Sequence, residues 1–261
     1  MSTGKIHPQA VISPEAKLGK DVEVGAFSVV GANVELGDGC LLHPHAVVYG
    51  PSKFGAKNVF HPFCVIGGDP QDYTFRDEHV ELQAGDGNIF REHVTVSKGT
   101  TKGGGITRVG NNNFFLSYSH VGHDCQIGNN TLFVNGATLA GHVTVMDFVT
   151  LGAFSPVHQF CRLGRYSYIG ACTVITQDVL PFSLIVTERE TRCFGPNVIG
   201  LERKGFAPER IKALQRAFKL LTRSKKNTSQ ALAEMRQALA DSSDVAEMIE
   251  FVEHAERGIV K

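Results

Sequence analysis

The sequence predicts a mainly β chain, in which a parallel β-helix of hexapeptide repeats is followed by an α-helical C-terminal domain. The first observation is a non-polar residue at every sixth position through residues 10–69 and 107–178. The second is that this period stops after Pro181, and that apolar residues recur three or four positions apart from Pro208 onward. A six-residue period is typical of solenoids, whereas a spacing of three and four is typical of amphipathic helices.

The repeated non-polar positions identify the side chains that would fill the inside of the β-helix. In the first stretch they are Ile12, Leu18, Val24, Val30, Leu36, Leu42, Val48, Phe54, Phe60 and Ile66. In the second they are Val109, Phe115, Val121, Ile127, Phe133, Leu139, Val145, Leu151, Val157, Leu163, Ile169 and Ile175. Three hexads make a coil of about 18 residues, and coils are expected to stack at strand spacing, about 4.8 Å. A glycine often follows the inward residue, which we attribute to its freedom at sharp turns.

Two breaks in the period are candidate functional loops, because a solenoid has no ordinary cleft for chemistry. Residues 70–79 carry polar and charged side chains without an inward aliphatic, and residues 100–106 contain the run Gly103-Gly104-Gly105. Both are predicted to be loops expelled from the β-helix. Insertions in solenoids tend to gather on a binding face, although a tolerated surface insertion is the alternative for each.

The C-terminal part is predicted to be irregular over residues 182–207 and helical thereafter. The helices are expected to begin at Pro208, near Asn227 or Thr228, and near Ser243, the last of them ending at Gly258. We therefore divide the chain into a β-helix over residues 1–190 and a helical domain over residues 191–261.

The first of these helices is predicted to carry an apolar stripe and an opposite basic face. The stripe consists of Ile211, Leu214, Phe218 and Leu221. The basic face consists of Lys212, Arg216, Lys219 and Arg223. A solvated helix face and a docking site for an acidic partner both fit this pattern.

Composition limits the classes of protein to consider. The chain has 261 residues and a formal net charge of zero, so long-range attraction to nucleic acid is not expected. No run of about 18 apolar residues and no basic stretch followed by an apolar core occurs, so neither a membrane span nor a signal peptide is predicted. The six cysteines lack CxxC spacing, which favours buried thiols in a reducing compartment and a cytoplasmic location.

Histidines gather in the second repeat stretch, at His120, His123, His142 and His158. If positions 18 apart stack, then His123, Gly141 and Gln159 form one column, and Asp124 lies beneath His142. A histidine, an adjacent carboxylate and a glycine N–H correspond to a general base, the group that orients it and an oxyanion donor. Structural histidines and a zinc site are the alternatives. The first two histidines lack the spacing expected of a zinc-binding pair, so no metal is predicted.

Four segments resemble a known enzyme family. They are His120-Val121-Gly122-His123-Asp124-Cys125, Ala137-Thr138-Leu139-Ala140-Gly141-His142-Val143, Val157-His158-Gln159-Phe160-Cys161, and Gly200-Leu201 followed by Arg203-Lys204-Gly205-Phe206. Together they are similar to the UDP-N-acetylglucosamine O-acyltransferases, which catalyse the first step of lipid A synthesis. The resemblance covers essentially the whole chain. It implies a left-handed β-helix, a homotrimer and active sites between neighbouring subunits.

The resemblance also implies a reaction and a set of residue roles. An (R)-3-hydroxyacyl chain would pass from acyl carrier protein to the 3-hydroxyl of the UDP-sugar, without a cofactor. His123 would be the base, Asp124 would orient it, and the Gly141 N–H would stabilise the oxyanion. The implied substrate-binding residues are Asp72, His120, His142, His158, Gln159, Ala171, Asn197, Arg203 and Lys204. The acidic carrier protein would dock on Lys212, Arg216, Lys219 and Arg223.

Within that set, some roles are more specific. Asn197 and Arg203 would hold the nucleotide and phosphates, with Lys204 beside them, because arginine can pair bidentately with phosphate. Ala171 lies where the family limits acyl length, and its size favours a chain of intermediate length.

Three positions depart from the family pattern, and all three concern acceptor recognition. Thr74, Ser97 and Ile199 stand where the family commonly has a lysine, a histidine and an acidic residue. These departures leave open an N-acyltransferase that acts on a UDP-3-amino-sugar. A non-catalytic hexapeptide trimer that binds an acidic partner is another alternative, and a metal-dependent hydratase is the last.

Overall fold

The computed structural model describes residues 5–76, 79–187, 191–256 and 258–260, and it confirms a left-handed parallel β-helix followed by α-helices. Most strands are two residues long, and the second residue points inward. Val30 and Leu42 are buried, for example, while the residue before each is partly exposed. The parallel register places Val121 beside Leu139, so the 18-residue stacking of coils is confirmed.

The strands form three sheets, one on each side of a triangular prism, and all are parallel apart from the last pair. Sheet I contains Val11–Ile12 (β1), Val29–Val30 (β4), Val47–Val48 (β7), Val65–Gly68 (β10), Thr95–Ser97 (β13), His120–Val121 (β16), Thr138–Leu139 (β19) and Pro156–Val157 (β22). Sheet II contains Lys17–Leu18 (β2), Val34–Leu36 (β5), Ser52–Phe54 (β8), Glu81–Ala84 (β11), Ile106–Val109 (β14), Gln126–Ile127 (β17), Thr144–Val145 (β20) and Arg162–Leu163 (β23). Sheet III contains Glu23–Val24 (β3), Leu41–Leu42 (β6), Val59–Phe60 (β9), Ile89–Phe90 (β12), Phe114–Phe115 (β15), Leu132–Phe133 (β18), Thr150–Leu151 (β21), Tyr168–Ile169 (β24), Ser183–Thr187 (β25) and Thr191–Pro196 (β26).

The chain turns between sheets at three edges through residues with left-handed backbone angles. The I/II edge, between sheets I and II, includes Asn33, Asp124, His142 and Phe160. The II/III edge includes Asp21, Lys57, Asn112, Asn130, Phe148, Tyr166 and Phe182. The III/I edge includes Phe27, His45, Phe63, His93, Tyr118, Phe154 and Cys172.

The repeated glycines have a different purpose from the one predicted. Among those that follow an inward residue, only Gly67 has a positive φ, and the left-handed residue comes later, as Asp124 does after Gly122. Close packing between coils requires the glycines instead, since a Cβ on Gly37 would lie 2.5 Å from the backbone of Gly55. The prediction that these glycines supply unusual backbone angles is therefore wrong for most of them.

The two breaks increase the number of residues between paired strands, but the parallel sheets continue across both of them. Phe54 pairs with Ala84 across the first break, and Thr95 pairs with His120 across the second. Residues 81–97 therefore continue the β-helix between the breaks, a stretch that the six-residue count did not include.

The breaks themselves differ in structure. The described part of the first, residues 70–76 and 79, contains no strand or helix, as predicted, while residues 77 and 78 lie outside the described ranges. The second contains a 3₁₀ helix, Thr101–Gly103, whose N-cap Thr100 is buried. Thr100 is buried because it bonds to the Asp124 carboxylate at the edge of the prism, whereas Thr101 and Lys102 are exposed, as expected of an expelled loop.

A column of phenylalanines fills the inside of the prism. Phe60, Phe90, Phe115 and Phe133 are fully buried, and successive ring centroids lie 5.3, 5.1 and 4.8 Å apart. Each such side chain contributes about 1.5–3 kcal/mol on burial, and each aromatic pair adds about 0.5–1.5 kcal/mol. This column helps to fix the register of the coils that carry the histidines.

The described parts of this stretch, residues 182–187 and 191–207, contain two strands and a short helix, contrary to the prediction of an irregular segment. β25 and β26 extend sheet III as an antiparallel pair, and Val198–Arg203 forms a short helix, α1. These strands are longer than one hexad and turn back on themselves, so a six-residue count could not detect them. The proposed division of the chain at residue 190 stays a prediction.

Three longer helices follow in the described part of the chain: Pro208–Arg223 (α2), Thr228–Ala238 (α3) and Ser243–Glu253 (α4). Their starts agree with the predictions, and the predicted apolar stripe of α2 is buried. Helix α4 ends at Glu253, before the predicted end at Gly258. The reason is that the chain leaves the helix to pair with the β-helix, where Asp178 bridges to Ile259.

The cysteine prediction holds at five positions and is wrong at one. Cys40, Cys64, Cys125, Cys161 and Cys193 are buried, whereas Cys172 is exposed because it occupies a turn at the III/I edge. None of the described helices combines the length and apolarity that a bilayer crossing needs.

Candidate active site

His123 and Asp124 lie at the I/II edge, directly after β16. The next coil holds this turn in place, because the His142 N–H donates to the His123 carbonyl at 2.9 Å. One coil further, the Phe160 N–H donates to the Gly141 carbonyl at 3.3 Å. These bonds stack His123, Gly141 and the residues around Phe160 in the column that the coil arithmetic predicts.

The Asp124 carboxylate is buried and accepts hydrogen bonds from two sides. Its Oδ2 atom lies 2.8 Å from Nδ1 of His123, and the Thr100 hydroxyl donates to the same oxygen at 2.7 Å. The Thr100 backbone N–H donates to Oδ1 at 2.7 Å. A carboxylate accepts and does not donate, so Nδ1 of His123 carries the proton and Nε2 is left as the basic nitrogen.

Gly141 gives the basic edge of His123 the room that it needs. A Cβ at Gly141 would lie 2.5 Å from Cε1 and 2.7 Å from Nε2 of the His123 ring. Among the described residues, no backbone carbonyl accepts a hydrogen bond from the Gly141 N–H. A free N–H beside a basic nitrogen is the arrangement that stabilises a developing oxyanion during acyl transfer.

His142 and His120 flank this pair. Nε2 of His142 lies 3.6 Å from Oδ2 of Asp124, and the His142 ring stacks on Phe160. Burial lowers the pKa of His142, although the Asp124 charge acts in the opposite direction. Burial also lowers the pKa of His120, whose Nδ1 lies 2.7 Å from the Thr95 hydroxyl. Both rings are therefore suited to hydrogen bonding as neutral groups.

Donor atoms of His123, Asp124 and His142 lie within 4.8 Å of one another, a spacing that a metal site also requires. The 2.8 Å contact between Nδ1 of His123 and Asp124 is accounted for by N–H donation, as is the bonding of Asp124 to Thr100. These hydrogen bonds of Asp124 favour a role of His123 in proton transfer. The expectation of a metal-free site stays a prediction.

The two breaks meet each other beside this cluster. The Lys102 ammonium, from the second break, donates to the Thr74 hydroxyl, from the first, at 2.7 Å. The Thr74 hydroxyl in turn donates to Asp72 at 2.8 Å. Because Thr100, two residues before Lys102, donates to Asp124, these bonds place the first break at the same site. Thr100 and Lys102 were missed by the sequence reasoning, although both lie within a break that it singled out.

His158, Gln159 and Ala171 lie further along the prism. His158 and Gln159 are exposed on the I/II edge, one coil beyond Gly141, and Nδ1 of His158 lies 3.1 Å from the Gln159 carbonyl oxygen. Ala171 is exposed next to the left-handed residue of the III/I edge. His158 and Gln159 thus share an edge with His123, whereas Ala171 lies on a different edge.

Asn197, Arg203 and Lys204 lie on the remaining edge. The Asn197 N–H donates to the carbonyl of Phe182 at 2.8 Å, and the Lys204 ammonium lies 5.0 Å from the ring centroid of Phe148. Phe148 and Phe182 are both turn residues of the II/III edge. A single chain therefore presents the predicted nucleotide-binding residues and the predicted base on different edges of the prism.

The departures from the family pattern have distinct surroundings. Ser97 is buried and pairs with Gly68 in sheet I, whereas the Ile199 side chain is 64% exposed. The four basic residues predicted to bind a partner, Lys212, Arg216, Lys219 and Arg223, are all exposed on α2. The end of that helix is tied to β26, since the Arg223 guanidinium donates to the Phe194 carbonyl at 2.6 Å.

Comparisons with known proteins identify the family of the chain. A family model described as "Udp N-acetylglucosamine O-acyltransferase; Domain 2" matches residues 178–260. A second model, for the bacterial transferase hexapeptide, matches residues 15–50 and 106–141.

Full-length relatives are similar along the whole chain. The acyl-[acyl-carrier-protein]--UDP-N-acetylglucosamine O-acyltransferase of Stenotrophomonas maltophilia (strain K279a) is 46% identical over 257 residues, covering 98% of each chain. The enzyme of the same name from Xylella fastidiosa is 43% identical over 256 residues, covering 98% of this chain and 97% of the relative.

Solved structures are also similar along nearly the whole chain. The UDP-N-acetylglucosamine acyltransferase of Francisella novicida has a TM-score of 0.94 and 34% identity, covering 98% of this chain and 94% of that one. The corresponding enzyme of Arabidopsis has a TM-score of 0.87 and 31% identity, covering 98% and 100%.

Proposed function

Because the chain belongs to the UDP-N-acetylglucosamine O-acyltransferase family, we propose that it transfers an (R)-3-hydroxyacyl chain from acyl carrier protein to the 3-hydroxyl of UDP-N-acetylglucosamine. This reaction is the first step of lipid A biosynthesis. The observation that carries the proposal is the Asp124–His123 contact of 2.8 Å, which leaves Nε2 of His123 basic beside Gly141.

The proposed mechanism begins with His123. Its Nε2 atom takes the proton of the 3-hydroxyl as the oxygen attacks the thioester carbonyl carbon. Asp124 holds the ring and stabilises the imidazolium that forms, and the Gly141 N–H donates to the oxyanion. When the tetrahedral intermediate collapses, the carbon–sulfur bond breaks. The thiolate of the carrier protein then receives the proton from His123, which returns the base to its neutral state.

The substrate is proposed to lie along the I/II edge. Asp72, His120, His142, His158 and Gln159 would line the acceptor and acyl path on this edge. His120 and His142 suit the role because burial lowers their pKa, so that they act as neutral hydrogen-bonding groups.

A homotrimer is proposed because the residues expected to bind the nucleotide and to limit the acyl chain lie on other edges. Asn197, Arg203 and Lys204 would reach the acceptor from the II/III edge of a neighbouring copy, and Ala171 would limit chain length from the III/I edge. Mixing His123→Ala chains with Arg203→Ala chains tests this arrangement. Mixed trimers should regain part of the activity that either variant lacks alone, whereas a site built within one chain gives no recovery.

The carrier protein is proposed to dock on the exposed basic face of α2, namely Lys212, Arg216, Lys219 and Arg223. Acyl carrier proteins are strongly acidic, so this face offers charge complementarity that steers association. The buried free thiols fit a reducing compartment, and we propose that the reaction occurs in the cytoplasm.

The central test uses purified protein with hydroxyacyl carrier protein and UDP-N-acetylglucosamine. The ester product should form, and His123→Ala should reduce kcat by about 10² to 10⁴. The folded state of the variant is checked by its thermal unfolding curve. Absence of turnover with every UDP-glucosamine derivative would refute the proposal. Full activity of the His123→Ala variant would favour a non-catalytic trimer, and activity lost on chelation would favour a metal enzyme.

A second candidate acceptor is a UDP-3-amino-sugar, whose acylation would give an amide. It is supported by Thr74, Ser97 and Ile199, which replace residues that the family commonly uses for acceptor recognition. A competition assay with equal concentrations of the hydroxyl and amino acceptors decides between the two, because the products differ in mass.

A further inference from the structure

We propose that Lys102 binds the acceptor substrate and sets the preference of the site for a neutral hydroxyl acceptor over a cationic amino acceptor. The inference rests on the proposed function, which assigns the acceptor to the I/II edge. It is carried by the contact between the two breaks, where Lys102 bonds to Thr74 at 2.7 Å.

The backbone that carries Lys102 is built on the carboxylate that orients His123. Thr100 donates to both oxygens of Asp124, and the Gly103 N–H donates back to the Thr100 hydroxyl at 3.2 Å. Gly103 packs so closely against the Asp124 carboxylate that a Cβ there has no room. These contacts hold the short helix that contains Lys102 against the proposed catalytic pair.

The side chain of Lys102 forms a chain of hydrogen bonds with Thr74 and Asp72 of the first break, which we call the polar relay. Its ammonium donates to the Thr74 hydroxyl, and both the hydroxyl and the N–H of Thr74 donate to Asp72 at 2.8 Å. The hydrogen bonds from Thr74 lower the pKa of Asp72, and the charge of Lys102 lowers it further. Asp72 is thus an ionised carboxylate next to a cation.

This relay suits an acceptor that is neutral at the attacking atom and anionic elsewhere. An ammonium has three N–H donors, and Thr74 accepts one, so Lys102 can also donate to an oxygen of the acceptor. Its charge offsets the repulsion between Asp72 and the diphosphate of a nucleotide sugar. The same charge disfavours binding of a 3-amino acceptor in its protonated form, which must lose a proton before its neutral nitrogen can attack. Removal of Lys102 would leave the Asp72 charge unbalanced, which reverses both effects.

The test compares Lys102→Met, Lys102→Arg and the wild type with UDP-N-acetylglucosamine and its 3-amino analogue. For Lys102→Met we expect KM for the hydroxyl acceptor to rise about tenfold with kcat changed by less than about threefold, as for the loss of one charged hydrogen bond. The ratio of kcat/KM for the amino over the hydroxyl acceptor should rise by about tenfold. Lys102→Arg should restore most of both values. Lys53→Met, at an exposed site on sheet II, is the charge-matched control and should behave as the wild type.

Calorimetric titration with UDP-N-acetylglucosamine alone separates this proposal from the proposed function. A wild type that binds the nucleotide sugar without turnover would refute the acyl transfer, and the affinity of Lys102→Met would still decide the role of Lys102. An unchanged KM and affinity in Lys102→Met, or an unchanged acceptor ratio, would overturn the role proposed for Lys102. A wild type that neither binds nor converts either acceptor would overturn both proposals.

Discussion

Replacement of Asp124 by asparagine should inactivate the protein by changing which nitrogen of His123 carries the proton. In the wild type, Oδ1 accepts from the Thr100 N–H, and Oδ2 lies 2.8 Å from Nδ1 of His123. An asparagine that keeps its oxygen toward the Thr100 N–H presents its NH₂ group to Nδ1. The ring must then accept at Nδ1 and carry its proton on Nε2, where it cannot act as a base.

The expected loss of kcat can be derived from the two orientations of the side-chain amide in the Asp124→Asn variant. The flipped orientation keeps the bond to His123 but turns NH₂ toward the buried Thr100 N–H, which leaves that donor unsatisfied at a cost of about 1–3 kcal/mol. The inactive orientation is therefore favoured by about 10-fold to 100-fold. Loss of the carboxylate charge also removes stabilisation of the imidazolium, about 4 kcal/mol for two unit charges whose centres lie about 4 Å apart at an effective dielectric of about 20. Because these effects overlap, we expect kcat to fall by about 10² to 10⁴.

The assay measures kcat with saturating acyl carrier protein and acceptor, and ¹⁵N NMR of the histidine ring reports the tautomer directly. Asp147→Asn is a matched control, because Asp147 also accepts a backbone N–H at a turn, from Asn129 at 2.6 Å, on a different edge. In a His123→Ala background, Asp124→Asn should cause little further loss, since both changes remove one catalytic unit. A folded Asp124→Asn variant with kcat within about threefold of the wild type would refute the tautomer argument.

Two further predictions concern the same edge. Gly141→Ala should lower kcat by at least about 10²-fold, because its Cβ would lie 2.5 Å from the His123 ring. Gly31→Ala is the control and should remain active, because its Cβ would lie 3.4 Å from the nearest atom. Equal activity of the two variants would contradict the packing argument. Burial lowers the pKa of His120 and His142 below 6.5, so the unfolded chain binds more protons than the folded protein as pH falls past that value. As the pH falls below 6.5, the free energy of unfolding should therefore decrease by up to about 1.4 kcal/mol per pH unit for each histidine. Urea titrations at one pH above 6.5 and one below it measure this decrease. The decrease should be smaller in a variant in which both histidines are changed to glutamine.

The regular part of the molecule could be predicted from the sequence because its period reports its geometry directly. Each coil places one inward residue per hexad, so counting in steps of 18 was enough to stack His123 on Gly141 and Asp124 under His142. The same count could not reach Lys102, whose contact with Thr74 joins two segments that lack the period. It also missed β25 and β26, because their antiparallel pairing follows no fixed repeat.

The stacked coils and the two breaks divide the chemistry of the proposed site between a rigid part and an adaptable part. His123 and Gly141 are held by backbone ladders, so a substitution that shifts either one also disturbs the packing of adjacent coils. Lys102 and Thr74 lie outside the ladders and can change identity without altering the inward residues. Asp124 joins the two parts, since it orients His123 and anchors the second break through Thr100. Acceptor preference can therefore diverge within this family while the base and its geometry stay the same.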